Sequence, residues 1–441
     1  MGLIALGILA LTLVLALARP SVGGFRFEHG SAATLGASLM LLTGLVPYDL
    51  ALNTLRMLAY PLMTIISLMI ITIVAEQAGL LNWITRAVLH AGRGRGVRLF
   101  TLIFFTGAGV GMVFTNDAAI LIFTPLVYAL VEEIADDSWT LSHKLPFYFA
   151  VLYVGNLAGA FIISNPINII VASFFDIGFL EYTLWMFLPA LTSIVVSYAG
   201  LRIAFRGKIP ATYRIPENDH RPGRPSPMTL ASAAVLILTL IGFFIQGLTG
   251  VPIAVVAAAG ALILLALHRA RGHSVRPVIG HVGWDVIVFV IGIFLVAMGV
   301  RNAGLTHMMG DIIVLAGEWM NDDSLLFSTA LLSGMCSSLI NNHPTAGLMI
   351  WVVQDFDLPR LQTNLMVYAA LIGGDLGPKM LPIGSLAALM WFRILRARGV
   401  EVSYWLYVKI GVPVTLTAIV LAVATLHLEM WIAGVTMTAT P

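Results

Sequence analysis

The chain reads as an all-α polytopic membrane protein built from two inverted repeats, each with about five transmembrane crossings including one discontinuous helix, plus a re-entrant hairpin. Three observations lead there. Of 441 residues, 59% are hydrophobic and only 10% charged, and the mean hydropathy is +0.95, whereas soluble domains carry about 25% charged residues. The apolar residues gather into runs close to the roughly 20 residues that a membrane helix needs. Four of those runs are interrupted by polar islands, in a duplicated order.

The first run, at about 2–18, has no basic residue ahead of it and reads as a retained helix rather than a cleaved signal. Runs follow at about 31–47 and 59–80, at 98–134 with a break at Asn116, at 145–175 with a break at Asn165, and at 181–204. A second series matches in order: about 229–246, 252–267, 284–302, 325–355 broken at Asn342, 362–394 broken near Pro382, and 403–427. Taking the first broken run of each half as a hairpin and the second as one discontinuous span leaves five crossings per half. That odd number inverts the second half. Reading each hairpin as two full spans gives twelve crossings with the same sidedness, so both counts stay open.

The stretch Arg206 to Pro227 carries Pro210, Pro216, Pro222, Pro225 and Pro227 with charges of both signs, and reads as a linker. The organisation is therefore a first repeat over 1–208, a cytoplasmic linker over 209–227 and a second repeat over 228–441. Leu81 to Arg95 and Thr306 to Met320 follow the third helix of each half and look amphipathic, as arms lying along the membrane surface. Arg19, Arg26, Arg86 to Arg98, Lys144, Arg202 to Arg224, Arg269 to Arg276 and Arg393 to Arg398 fall on one side, and Arg56, Arg301 and Arg360 on the other. The positive-inside rule makes the first side cytoplasmic. The expectation is a multi-pass protein of the cell (inner) membrane with both termini outside.

The islands are Thr115-Asn116-Asp117, Ser164 to Asn168, Asn341 to Thr345, and Gly374 to Lys379 running on to Ser385. An unmatched amide or carboxylate in hydrocarbon costs several kcal/mol, so four islands point to one shared polar cavity. Asn165 precedes Pro166, Asn342 lies two before Pro344, and Pro382 follows a Gly-Pro break, the pattern of half-helix starts with Asn as cap and Pro in the first turn. Such starts aim free N–H groups, and roughly half a positive charge each, into the cavity. Proline kinks in packed helices account well for one island and poorly for four in duplicated order.

Asp117, Asp375, Lys379 and Lys409 lie well inside apolar runs, while Glu76 and Asp285 sit nearer run ends. Charges at membrane depth are paired or functional. Asp375 and Lys379 share a face if their helix continues, and a structural salt bridge weighs about equally with a role in proton coupling. Asp117 has no partner nearby in sequence and is the better candidate for a carboxylate that binds and releases a proton or ligates a cation. His343 either titrates near neutrality or is held by backbone at the hairpin tip. Lys409 reads as structural, reaching to an interface.

Phe114 to Ala119 with Thr124-Pro125, Asn168 to Phe179, and Gly374 to Lys379 followed by Leu381 to Leu386 resemble the arsenite efflux permease (ArsB) family of the ion transporter superfamily. The likeness covers nearly the whole chain. The family pattern differs in having Ala and Gly at Thr115 and Ala118, an apolar residue at His343, and often Cys at Gly374. The resemblance implies extrusion of trivalent arsenite, and of antimonite, in exchange for protons, with a soluble arsenite-stimulated ATPase docking on the cytoplasmic side in some organisms.

The residues suit that implication. Arsenite at neutral pH is an uncharged trihydroxide that amides, hydroxyls and helix N–H groups can hold, and Thr115, Asn116, Asn165, Asn168, Asn341, Asn342, Thr345 and Ser385 offer these. Thiolate capture needs two or three converging cysteines, and the chain has only Cys336, which reads as a packing residue and excludes intrachain disulfides. Cofactor and resident metal are both expected to be lacking, a net charge of +2 gives no case for nucleic acid, and oligomeric state, a homodimer included, stays open. The competing readings are a sodium/proton antiporter, with Asp117 and main-chain carbonyls holding sodium, and a passive channel. A membrane enzyme is disfavoured by the lack of any His-Glu-x-x-His or Gly-x-Ser-x-Gly pattern.

Overall fold

A computed structural model describes residues 1–114, 116–155, 157–215, 223–318 and 325–437, with backbone alone at Val22, Phe25, Asn116, Asp117, Ala118 and Glu318. Thr115, linker residues 216–222 and the end of the second arm, Trp319 and Met320, lie outside the described residues.

The first half runs α1 (Gly2–Ala18), a two-residue ribbon pairing Ser21–Val22 with Phe25–Arg26, α2 (His29–Leu42), α3 (Tyr48–Gln77), α4 (Leu80–Gly92), α5 (Gly96–Val113), α6 (Asn116–Ile134), α7 (Leu141–Val154), α8 (Pro166–Phe174) and α9 (Phe179–Ala204). The second half runs α10 (Pro227–Phe244), α11 (Gln246–Thr249), α12 (Ile253–Ala270), α13 (Arg276–Gly280), α14 (Trp284–Asn302), α15 (Leu305–Glu318), α16 (Leu325–Ile340), α17 (Asn342–Asp355), α18 (Arg360–Leu376), α19 (Leu386–Arg396) and α20 (Tyr404–Ile432). Among the described residues, seven helical stretches are long and apolar enough to cross a membrane: α3, α5, α9, α10, α12, Arg276–Asn302 and α20. The architecture is thus helical and multi-pass.

Helix starts follow capping chemistry. Ser226 caps α10, its Oγ accepting from the Thr229 N–H at 3.1 Å, with Pro227 in the first position. Asn165 caps α8 in the same way, accepting from Ile167 N–H at 3.3 Å ahead of Pro166. Between α16 and α17 stands only Asn341, at φ 78°, whose side chain accepts from His343 N–H at 3.2 Å. The two arms then part, α16 lying on α18 and α20 while α17 lies on α14, α8 and α18.

Three boundaries differ from the hydropathy reading. α3 begins at Tyr48 rather than near 59, because Asp49, Asn53 and Arg56 lower the mean hydropathy while Ala51, Thr54 and Leu58 keep a buried helical stripe. The break at Asn165 is the end of an unwound stretch whose described residues are 157–165, hidden by apolar residues such as Leu157, Ile162 and Ile163 that are buried without being α-helical. Non-helical backbone is tolerated at depth when protein surrounds it. Pro382 does not open α19; it starts a 3-10 turn, Pro382–Gly384, and Ser385 caps α19 through Ala388 N–H at 3.0 Å.

Packing pairs elements both within and across the halves. α2 lies on α14 and α12 on α3; α1 lies on α2 and α10 on α12; α6 contacts α19 and α17 contacts α8; α9 runs along α20. A close seam is α16 against α18, where Ser333 and Ser337 hydroxyls donate to the carbonyls of Ala370 at 2.6 Å and Gly374 at 2.7 Å. A Cβ at Gly373 would collide with the Ala330 carbonyl oxygen. Small residues and hydroxyls let helix backbones approach where lipid supplies no hydrophobic drive between helices.

Gly373→Val is therefore expected to force α16 and α18 apart at a cost of about 1–3 kcal/mol or more. It should lower the melting midpoint of the detergent-purified protein by several degrees. Gly109→Val, where no atom lies within 4 Å of the added Cβ, should melt like the parent.

Candidate functional site

The two unwound stretches meet. Asp375, in the last turn of α18, has no accessible surface. Its Oδ1 accepts from Asn165 Nδ2 at 2.6 Å. Its Oδ2 accepts from Asn168 Nδ2 at 2.9 Å and from the Gly159 N–H at 3.1 Å. All three donors come from the first half, and two of them sit in the cap and first turn of α8. A carboxylate here faces the positive end of a helix dipole as well as three N–H groups, which compensates its removal from water.

Gly159 is required at its place because a Cβ there would meet the side chains of Ser164 and Asn168. Its carbonyl accepts from the Tyr182 hydroxyl at 3.2 Å, and the Tyr182 ring stands edge-on to Tyr368 at 5.7 Å, tying α9 and α18 to the clasp. Neither Gly159 nor Tyr182 was singled out from the sequence. The signal available was Gly155 and Gly159 within five residues of an apolar run, which marks a break.

The ion pair considered for Asp375 and Lys379 is not formed. α18 stops at Leu376, so the four-residue spacing no longer places both on one face, and the turn Gly377–Lys379 carries Lys379 towards α7 and α20. There its buried Nζ lies 5.1 Å from the Tyr153 ring centroid, with no hydrogen-bond partner among the described residues. Tyr407 of α20 donates to the Pro378 carbonyl at 3.2 Å and holds this turn. Lys409 is exposed on α20.

The hairpin tip of the second half packs beside this clasp through α17. Thr345 Oγ1 donates to the Asn341 carbonyl at 2.8 Å, and the buried His343 stands edge-on to Phe289 of α14 at 5.7 Å, with Nδ1 3.3 Å from Asn341 Oδ1. Asn342 is buried, and its side chain makes no hydrogen bond among the described residues. Ser385 caps α19, which packs on α6. Asn116 and Asp117 open α6, and their side chains lie outside the described residues, as does Thr115. The fold thus joins Asn165, Asn168 and Asp375 directly and sets the Asn341–Thr345 tip in the adjoining helix. Lys379 points elsewhere. Among the described residues no three His, Cys, Asp or Glu side chains gather to hold a metal, and the Cys336 thiol stands alone.

A family model described as arsenical pump membrane protein matches residues 4–432. The arsenical pump membrane protein of Escherichia coli strain K12 is 34% identical over 437 residues, 97% of this chain and 99% of that one. Among solved structures, the chain is similar to MtrF of Neisseria gonorrhoeae, described among antimetabolite efflux pumps, at TM-score 0.59 and 12% identity over 99% of this chain and 96% of that one. It is also similar to the YdaH transporter of Alcanivorax borkumensis, described as having an unusual topology, at TM-score 0.56 and 15% identity over 98% and 97% of the two chains. At such identities the structural likeness concerns the fold alone.

Replacing Asp375 by Leu would leave the Asn165 and Asn168 amides and the Gly159 N–H buried without an acceptor, at about 1–3 kcal/mol for each group. Asp375→Leu should therefore melt several degrees below the parent. Asp375→Asn keeps one acceptor oxygen and should fall between the two. Equal melting of Asp375→Leu and parent would mean the clasp does not exist.

Proposed function

Because the chain belongs to the arsenical pump membrane protein family, we propose that it exports trivalent arsenite, and antimonite, across the cell's inner membrane in exchange for protons. The observation that carries this reading is the buried Asp375 carboxylate held by Asn165, Asn168 and the Gly159 N–H. An ionised carboxylate only accepts hydrogen bonds, whereas a protonated one carries an O–H that cannot face an amide N–H. Protonation therefore removes an acceptor and breaks up the donor set.

A neutral trihydroxide competes for the same groups. With Asp375 ionised, the site can accept from cargo hydroxyls and present amides of Asn165, Asn168, Asn341 and Asn342, joined by Thr345, Ser385, Thr115 and Asn116. On the outer side, protonation weakens that set and the cargo leaves; on the cytoplasmic side, loss of the proton restores it. Asp117 is the second carboxylate proposed to carry a proton, and Lys379, buried one turn beyond Asp375 without pairing to it, is the cation proposed to take part in the coupling. Since the cargo is uncharged, each exchanged proton moves one charge, and the membrane potential contributes about 2.3 kcal/mol per 100 mV in addition to the pH gradient.

Residues 1–208 and 228–441 act in this scheme as inverted repeats joined by a cytoplasmic linker over 209–227, with both termini outside. The reading draws support from the reciprocal packing of α2 on α14 and α12 on α3, and of α6 on α19 and α17 on α8. Alternating access is then movement of the hairpins and broken helices against the outer helices.

Everted vesicles holding the protein should accumulate arsenite when the lumen is made acidic, and the initial rate should fall more than tenfold in Asp375→Asn or in Asp117→Asn. Cys336→Ser should stay within twofold of the parent, since a lone thiol cannot chelate arsenic. Gradient-driven uptake undiminished in both aspartate variants would remove the mechanism. Sodium-dependent proton movement indifferent to arsenite would favour the sodium/proton antiporter instead.

A further inference from the structure

Two cavities border α3, one along its C-terminal turns and one at its middle. The larger, about 580 Å³, is lined by Met69, Thr72 and Glu76 of α3, by Leu121 of α6, by His281 and by Pro166 at the start of α8. The smaller, about 320 Å³, is lined by Tyr60 and Thr64 of α3, by Ile169 and Ser173 of α8, and by Asp176 just beyond it. Pro61, Thr64, Leu68, Thr72 and Glu76 recur at spacings of three and four, so they form one stripe of α3. Of these, Leu68 lines neither cavity and is 3% exposed. Thr64 to Met69 is five residues, about 7.5 Å of helix axis, so the barrier between the cavities is thin.

α8 packs on α3 and reaches both cavities, Pro166 lining the larger and Ser173 the smaller. Its cap residue, Asn165, is the one bound to Asp375 at 2.6 Å. Each cavity carries groups able to exchange hydrogen bonds with a hydroxylated neutral solute: Thr72, Glu76 and His281 in one, Thr64, Ser173 and Asp176 in the other. By contrast, the open groove between α2 and α14, which includes Ser38 and Asp285, is lined by no residue of a broken helix.

Resting on the reading of the chain as an exporter of an uncharged trihydroxide, we infer that the cargo travels along this single stripe of α3. It comes in through the cavity below Glu76 and His281, passes Leu68 as α8 shifts, and leaves beside Thr64 and Ser173. The path is asymmetric: α3 of the first half runs its whole length, while α14 of the second contributes Val286 to the larger cavity. Glu76 and His281 are positioning residues at its mouth.

The test uses the full chain in oriented vesicles, with single thiols at Thr64→Cys, Thr72→Cys and Glu76→Cys in a Cys336→Ser background and a charged, membrane-impermeant methanethiosulfonate as probe. Thr72→Cys and Glu76→Cys should be modified from one membrane face and Thr64→Cys from the opposite face, and each modification should lower arsenite uptake at least tenfold. Ser38→Cys, once labelled, should transport like the parent. Modification of all three from the same face, or undiminished uptake after complete modification, would overturn the route. If the unlabelled variants and the parent move no arsenite, the exporter reading fails, while the sidedness of labelling, measured without transport, still decides whether two opposed cavities meet at Leu68.

Discussion

A carboxylate with no contact with water can stay charged only where donors converge on it, and Asp375 imposes that condition on elements more than two hundred residues away. Asn165, Asn168 and the Gly159 N–H can reach it together only because α7 ends at Val154 and residues 157–165 carry no α-helix before α8 starts at Pro166. An unbroken helix would have sealed the Gly159 N–H into its own backbone ladder and spread the two asparagine amides along a cylinder. The break in one half is thus the condition for the buried charge in the other.

The surrounding seams follow from the same constraint. Unwound backbone at depth exposes groups that lipid cannot satisfy, so other chain segments must cover them. Tyr182 covers the Gly159 carbonyl, Tyr407 covers Pro378, and the serines of α16 cover carbonyls of α18. Several of these contacts join helices whose sequence neighbours lie elsewhere, so the interior is a mutually dependent set of polar closures embedded in apolar packing. Two separate cavities border α3 beside the set, one along its C-terminal turns and one at its middle.

Much of the fold was legible in the residues. Long apolar runs located nearly every helix, since lipid selects for length and hydropathy, and Asn165-Pro166 and Asn341 to Pro344 marked two half-helix starts through local capping that needs no tertiary contact. Hydropathy misplaced what it does not measure. It missed the first turns of α3, where polar residues share a helix with a buried stripe, and the unwound residues 157–165, where apolar side chains fill a path that is not α-helical. Asp375 stood out as a charge at depth, yet its partners did not, because spacing suggested Lys379 and proximity in space chose Asn165 and Asn168.

By itself the sequence determined that the chain lives in a membrane and, at Asn165-Pro166 and Asn341 to Pro344, where two half-helices begin, because composition and caps act within a few residues. Only the tertiary structure decided which interruption answers which charge, that Lys379 turns away from Asp375, and that a plain glycine N–H completes the clasp. Those outcomes depend on where separate helices end in space, and hydrogen-bond geometry across two hundred residues leaves no periodic trace along the chain.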